Sequence, residues 1–387
     1  MTLTITPYQL DITPAAVDDL RARLARTRWP GQLDGGGWDY GTEEGYLQGL
    51  CRHWAEAYDF ADAAARFNAY PQFMTEVGGE QLHFYHVRSP EPDALPLIIT
   101  HGWPGSVAEF LDVLGPLSDP AAHGGEPRQA FHVVAPSIPG YGPSGPTRQR
   151  SLTTAKIAAM FAELMAALGY GRYVAQGGDW GAIISAHVAS VDAAHVAALH
   201  LNLIYGRPPN SKDILAGLNE TERQDVARTQ AFNLEESGYQ RIQETKPQTL
   251  AYGLTDSPAG LAGWIVEKFR TWSDCGGDPE SVYSRDRLLD NITLYWLTGT
   301  INSSTRLYYE NNGPGRAEPF ARDIKAPTGH ALYPGEIVRT PRPWAEQVFN
   351  NIQSWTTMPR GGHFAAMEQP ALFTEELRRF FADYRGA

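Results

Sequence analysis

The sequence predicts an α/β fold with a mostly parallel central sheet, interrupted by a helical insertion and preceded by an N-terminal arm. Three observations predict it. Short apolar runs alternate with amphipathic stretches from about Leu95, the alternation stops after Ile204, and it resumes near His330. The runs are Leu97–Thr100, Phe131–Ala135, Tyr173–Gln176 and Ala197–Ile204. Between the second and third, Ile157, Phe161, Leu164, Met165 and Leu168 share one face of a helix. Strands that alternate with helices make βαβ units and a parallel sheet.

Each remaining element follows from local signals. In the arm, Thr13-Pro14 starts a helix through Leu20 and Leu24 that Trp29-Pro30 ends. Gly35–Gly37 is a loop, Tyr46–Phe60 reads as helical, and Leu82–Val87 reads as a short strand. In the insertion, Ser257 caps a helix whose first residue is Pro258. Leu261, Ile265, Phe269 and Trp272 form its apolar face. Strands return at His330–Tyr333 and Ser354–Met358, and a last amphipathic helix carries Leu372, Leu377, Phe380 and Phe381. The expected division is an arm over 1–90, the first part of the core over 91–205, a helical lid over 206–311 and the second part of the core over 312–387.

Composition narrows the function classes. The 387 residues are 42 % hydrophobic and 20 % charged, ordinary for a chain with a substantial core. With 32 basic against 44 acidic residues the net charge is −12, which argues against nucleic acid and anionic membrane surfaces as partners. Two cysteines, Cys51 and Cys275, make no disulfide framework and fit a reducing compartment. The first residues lack a signal peptide's basic and apolar segments, and no apolar run approaches the roughly 20 residues of a spanning helix. The expectation is a soluble, cytoplasmic protein. No cofactor is expected, and His83 and His86, three apart in a strand, should point to opposite faces, which disfavours a shared metal.

The chemistry centres on Gly177-Gly178-Asp179-Trp180-Gly181, where a strand turns into a helix. This is the nucleophile-elbow pattern G-x-S-x-G with aspartate in the serine position. Taken alone, Asp179 reads as a helix cap. A carboxylate, however, is ionised at neutral pH and needs no base to attack a strained or activated saturated carbon. The resulting ester then needs a water activated by a general base. Of 11 histidines, His363 stands out, exposed by glycines in Arg360-Gly361-Gly362-His363-Phe364 beyond the last strand. Glu336, after the penultimate strand, is the candidate that orients it, whereas the competitor Asp323 precedes that strand. Nucleophile, acid, histidine is the chain order of α/β-hydrolases.

Three phrases give the chain a family resemblance: His101-Gly102-Trp103-Pro104-Gly105-Ser106, the Asp179 elbow, and Arg360–Ala366. With Tyr8 and Arg28-Trp29-Pro30 in the arm, and Glu236–Tyr239, Thr245–Pro247 and Thr298–Thr300 in the insertion, it resembles the microsomal-type epoxide hydrolases over essentially its whole length. The resemblance implies that Asp179 attacks an epoxide, that His363 and Glu336 hydrolyse the ester, and that Tyr239 and Tyr308 hydrogen-bond the epoxide oxygen. Tyr309 beside Tyr308 leaves that register open. It also implies an oxyanion hole from the backbone N–H groups of Trp103 and Trp180, a cis Trp103-Pro104 bond, and a pocket of Trp103, Trp180, Tyr239 and Tyr308. Its partners would be a small epoxide and water, with homo-oligomerisation open. Animal members begin with a membrane anchor that is not seen here, so membrane attachment is not carried over. The aromatic insertion (Trp264, Phe269, Trp272, Tyr295, Trp296) suggests an apolar or aryl epoxide, although most of these rings are expected to pack the lid itself. The alternative is a haloalkane dehalogenase-like hydrolase, which shares Asp179-Trp180-Gly181 but has asparagine where this chain has Trp103.

Overall fold

In the computed structural model, which describes residues 3–315 and 320–385, nine strands form one sheet in the order β1-β2-β3-β5-β4-β6-β7-β8-β9. They are β1 (Thr6–Tyr8), β2 (Gln72–Val77), β3 (Glu80–Val87), β4 (Leu95–Thr100), β5 (Phe131–Pro136), β6 (Tyr173–Gly177), β7 (Val196–Leu201), β8 (Thr328–Leu332) and β9 (Ile352–Thr357). Pairing is antiparallel from β1 through β3 to β5 and parallel from β5 to β9. Every residue of β5, β6 and β8 is buried. Helices on both faces of a parallel sheet require such continuous apolar runs.

Helices α1 (Pro14–Leu24), α2 (Glu44–Glu56) and α3 (Phe60–Phe67) precede β2, and α4 (Leu111–Ser118) follows β4. Next come α5 (Thr154–Ala167) and α6 (Asp179–Val191), flanking β6. Between β7 and β8 lie α7 (Glu220–Glu235), α8 (Gly238–Thr245), α9 (Pro247–Asp256), α10 (Pro258–Trp272), α11 (Arg285–Thr298) and α12 (Ile301–Asn312). The chain closes with α13 (Arg342–Ala345), α14 (Ala365–Glu368) and α15 (Pro370–Phe380). The interrupted alternation is therefore real, and Ser257 does cap α10, accepting from Gly260 N.

The arm departs from expectation. It adds three antiparallel strands to the sheet, whereas the sequence suggested only one. Short β1 and mixed-polarity β2 sit at the sheet's edge, where strict apolar alternation is not required. Helix α1 ends at Leu24, before Trp29-Pro30, and the Tyr46–Phe60 segment breaks because the Asp59 side chain caps a new helix at Ala61 N and Asp62 N. The arm grips α11 through a buried network. Fully buried Asp290 accepts from Tyr58 Oη (2.7 Å), from Arg66 Nη2 (2.6 Å) and Nε (2.9 Å), and from Arg287 Nη1 (3.0 Å).

Candidate active site

Asp179 sits at the β6–α6 turn with φ of +49°, a left-handed conformation that is uncommon outside glycine. Its flanking glycines are a steric necessity. A Cβ on Gly177 would lie 2.2 Å from Gly181 O, and one on Gly181 would lie 2.0 Å from Thr100 O. The turn is thus tight enough to lift the carboxylate out of the sheet toward the loop after β4. There, a Cβ on Gly102 would strike Asp179 Oδ1 at 2.2 Å, so only glycine lets the two approach. The Trp103 N–H donates to Asp179 Oδ1 at 2.7 Å, and the Trp103-Pro104 bond is cis.

The other carboxylate oxygen faces the histidine. His363 Nε2 lies 3.3 Å from Asp179 Oδ2, and its Nδ1 lies 2.8 Å from Glu336 Oε1. Glu336 is fully buried and is held in turn by the Ile337 N–H at 2.7 Å. The histidine loop is clasped to the end of α10: His363 N donates to Trp272 O (2.9 Å) and Gly361 N to Asp274 Oδ2 (2.9 Å). Burial opposes a charge on His363, but Glu336 and Asp179 together hold its proton well above the usual imidazole range. Asp323 is exposed to solvent. His101 uses both ring nitrogens on backbone groups, Nδ1 toward Gly102 O of its own loop (3.0 Å) and Nε2 accepting from Ile138 N of the loop after β5 (3.1 Å).

Opposite the carboxylate stands an aromatic wall. Tyr239, from α8, stacks on Trp103 with centroids 5.2 Å apart and planes 5° apart. Tyr308, from α12, meets Trp180 edge-on at 4.9 Å and Trp103 at 5.7 Å, and the two tyrosines are 6.0 Å apart. Tyr308 therefore belongs to the site, whereas half-buried Tyr309 lines a separate surface pocket with Arg148 and Lys246. Burial, reinforced by the charge of Asp179, keeps the Tyr239 phenol protonated far above the ordinary range. For Tyr308 burial dominates again, with Tyr239 and Asp179 adding to it. Both are neutral hydrogen-bond donors facing a carboxylate.

Several site residues escaped sequence reasoning. Trp272 closes the α10 apolar face and looks like core, yet its ring lies 5.1 Å from both His363 and Tyr239. Buried Lys268 places its ammonium 4.6 Å from the Tyr239 ring centre. Asn291 Nδ2 donates to Pro104 O (2.8 Å) and its Oδ1 accepts from Ser106 Oγ (2.7 Å), so α11 holds the Trp103 loop. Buried Glu109 and Glu368 flank the site as well. Only Glu109 had a sequence signal, a charge within an otherwise apolar helix start. Among the described residues, no group of three or more His, Cys, Asp or Glu could hold a metal ion, and no helix is long and apolar enough to cross a membrane.

An aspartate elbow backed by a histidine–glutamate pair on this sheet defines an α/β-hydrolase. A family model described as alpha/beta hydrolase fold matches residues 96–261, and one described as epoxide hydrolase N terminus matches residues 5–110. The chain is 45 % identical over 383 residues to a Stigmatella aurantiaca protein provisionally named an epoxide hydrolase, covering 98 % of this chain and 86 % of that one. It is 36 % identical to epoxide hydrolase 1 of Oryctolagus cuniculus, covering 97 % of this chain and 88 % of the relative. The crystal structure of juvenile hormone epoxide hydrolase from the silkworm Bombyx mori superimposes with a TM-score of 0.89 at 30 % identity, over 99 % of this chain and 95 % of that one. The Aspergillus niger epoxide hydrolase structure gives 0.87 at 29 %, over 99 % and 97 %. The chain belongs to the epoxide hydrolase family.

Proposed function

We propose that this epoxide hydrolase opens an apolar or aryl epoxide to a vicinal diol through a covalent ester on Asp179. The observation that carries the reading is the division of labour between the two Asp179 oxygens. Oδ1 is held by Trp103 N at 2.7 Å, while Oδ2 lies on the histidine side, 3.3 Å from His363 Nε2. Oδ2 attacks an epoxide carbon, and the ring oxygen develops negative charge against the Tyr239 and Tyr308 hydroxyls. Opening an unactivated ether requires such donors. The alkoxide takes a proton relayed by the tyrosines and replenished from the His363 imidazolium.

Esterification removes one of the two negative charges that hold the proton on His363, so the imidazole is left neutral when a base is needed. It then takes a proton from water, whose oxygen attacks the ester carbonyl carbon. The oxyanion forms on Oδ1 against the Trp103 and Trp180 N–H groups, the first of which already bonds that atom. The carbonyl–alkoxy bond breaks, and the proton of the new carboxyl passes to the leaving alkoxide. Asp179 and His363 regain their starting charges. An aromatic wall with few charges at its face suits a hydrocarbon or aryl substituent. Two phenol donors suit an alkoxide better than a halide, which weighs against the dehalogenase alternative.

His363→Gln separates the steps. Intact-mass measurement after mixing with styrene oxide is expected to show an adduct of one substrate mass on this variant and none on Asp179→Asn. An unmodified His363→Gln chain refutes the covalent route.

A further inference from the structure

One buried acid near the nucleophile has no part in the cycle above. Glu109 lies in the short 3₁₀ turn Val107–Phe110 after the Trp103 loop and is almost fully buried. Its carboxyl is folded back over the loop: a Cβ on Gly105 would lie 1.7 Å from Glu109 Oε1. Behind the nucleophile, Glu109 lines a cavity of about 10 Å³ together with Gly102, Gln176, Asp179, Asn202 and His363. That is room for about one water molecule, which needs two to four polar partners to be held.

The cavity supplies those partners. Gln176 Nε2 donates to Asn202 Oδ1 at 3.1 Å, while Gln176 Oε1 is buried with no hydrogen-bond partner among the described residues. His363 Nε2 faces Asp179 Oδ2 at 3.3 Å while its ring is charged, and becomes an acceptor on the same cavity once the ester forms. Gln176 Oε1 is an unpaired buried acceptor, which costs about 1–3 kcal/mol, and on a water-sized space it calls for an occupant. The lining is polar enough for that occupant to be water rather than an apolar group.

We propose that this cavity is the seat of the hydrolytic water, and that Glu109 and Gln176 hold it for His363. The inference rests on the two-step reading of the site. One O–H of the water points to His363 Nε2 and the other to the Glu109 carboxyl or Gln176 Oε1, leaving the oxygen lone pair for the ester carbon of Asp179. Glu109 moves no proton in this scheme. Burial pushes it up to about 8, with His363⁺ opposing and Asp179⁻ reinforcing, so near neutral pH its carbonyl oxygen accepts without adding a full negative charge beside the nucleophile. The cavity is bordered by Asp179 and His363 but by neither tyrosine, whereas Tyr239 stacks on Trp103 and Tyr308 meets Trp180 edge-on, so the two reactants of the cycle have separate seats.

The test measures the two steps separately with styrene oxide. Ester formation is followed by stopped-flow quenching of the tryptophans around Asp179, and ester breakdown by the decay of the adduct mass after quenching. Glu109→Met removes the acceptor at similar volume and is expected to slow ester breakdown about 10- to 100-fold, the scale of a misplaced reactant, with ester formation changed less than about twofold. Glu109→Gln keeps an acceptor oxygen and is expected to restore most of the breakdown rate, which a general disturbance of packing at this position would not do. Gln176→Met attacks the same water from the opposite wall and is expected to give the same split, independently of whether Glu109→Met folds. Equal slowing of both steps, or unchanged breakdown in the variants that fold, overturns the proposal. Because adduct formation on His363→Gln reports the two-step reading by itself, failure of the water site and failure of that reading are distinguishable.

Discussion

Replacing Asn291 with alanine tests whether the oxyanion donor is set by the α11 helix. The buried amide makes two bonds to the Trp103 loop, to Pro104 O at 2.8 Å and from Ser106 Oγ at 2.7 Å. Its removal leaves the Pro104 carbonyl and the Ser106 hydroxyl proton without these partners, and each orphan costs about 1–3 kcal/mol. Part of that loss is recovered by relaxation, because Tyr295 Oη still donates to Gly105 O at 2.8 Å and Ser106 Oγ still caps Ala108 N at 3.1 Å. A net destabilisation of about 2–4 kcal/mol by urea unfolding follows. Complete loss of one oxyanion donor costs about 10²- to 10³-fold, so a displaced Trp103 N–H should slow ester breakdown about 10- to 100-fold. Ester formation should suffer less, because the attacking oxygen is Oδ2. A variant destabilised by this amount whose ester breaks down at the wild-type rate would refute the link from α11 to the oxyanion donor.

The arm's hold on the same helix predicts that Asp290→Asn, which strips the charge shared by Arg66, Arg287 and Tyr58, lowers unfolding stability by about 3–5 kcal/mol. Urea titration checks it, and a loss below about 1 kcal/mol would show the network to be dispensable. Glu368, raised to about 7 chiefly by burial, binds its proton more tightly folded than unfolded, so its contribution is full below about pH 4.5 and is lost as pH rises toward 7. Thermal unfolding of Glu368→Gln should therefore show a smaller drop between pH 5 and pH 8 than the wild type. On the acid side the sign reverses: burial lowers His101 and His187 to about 4, so their stabilisation is present above about pH 6.5 and lost as pH falls through 4. His187→Gln should shift the acid unfolding midpoint downward, as followed by circular dichroism.

The parallel core was legible because the strands from β4 to β7 are mostly apolar runs that alternate with helices. Asp179, Glu336 and His363 were legible because the chemistry constrains sequence locally at each: a tight turn needs glycines two residues away, and a histidine offered to a cleft needs a loop without side chains around it. Trp272, Lys268 and Asn291 were not legible, for a different reason. Each lies in a regular helix with nothing unusual on either side, and its role arises from what the helix faces after the chain has folded. The arm's two extra strands were missed because edge pairing imposes no apolar period. Tyr308 and Tyr309 could not be separated by pattern either, since adjacent helical positions differ only by about 100° of rotation.

That rotation also explains how two neighbouring residues on α11 join distant parts of the molecule. Asp290 turns to the arm, where it takes Tyr58 and Arg66 beside Arg287 of its own helix, while Asn291 turns to the loop after β4, where it takes Pro104 and Ser106. A backbone hydrogen-bonded along its length cannot rotate one of these residues without the other. The arm is therefore linked to Asp179 through three contacts in series: arm to α11, α11 to the loop, and Trp103 N to Asp179 Oδ1 at 2.7 Å. An enzyme whose nucleophile is already charged does not depend on a base to create it. In the proposed cycle it depends on the loop donor that holds one oxygen while the other attacks, and stiffening that loop from outside the core is a physical use for an N-terminal segment to which the cycle assigns no reacting group.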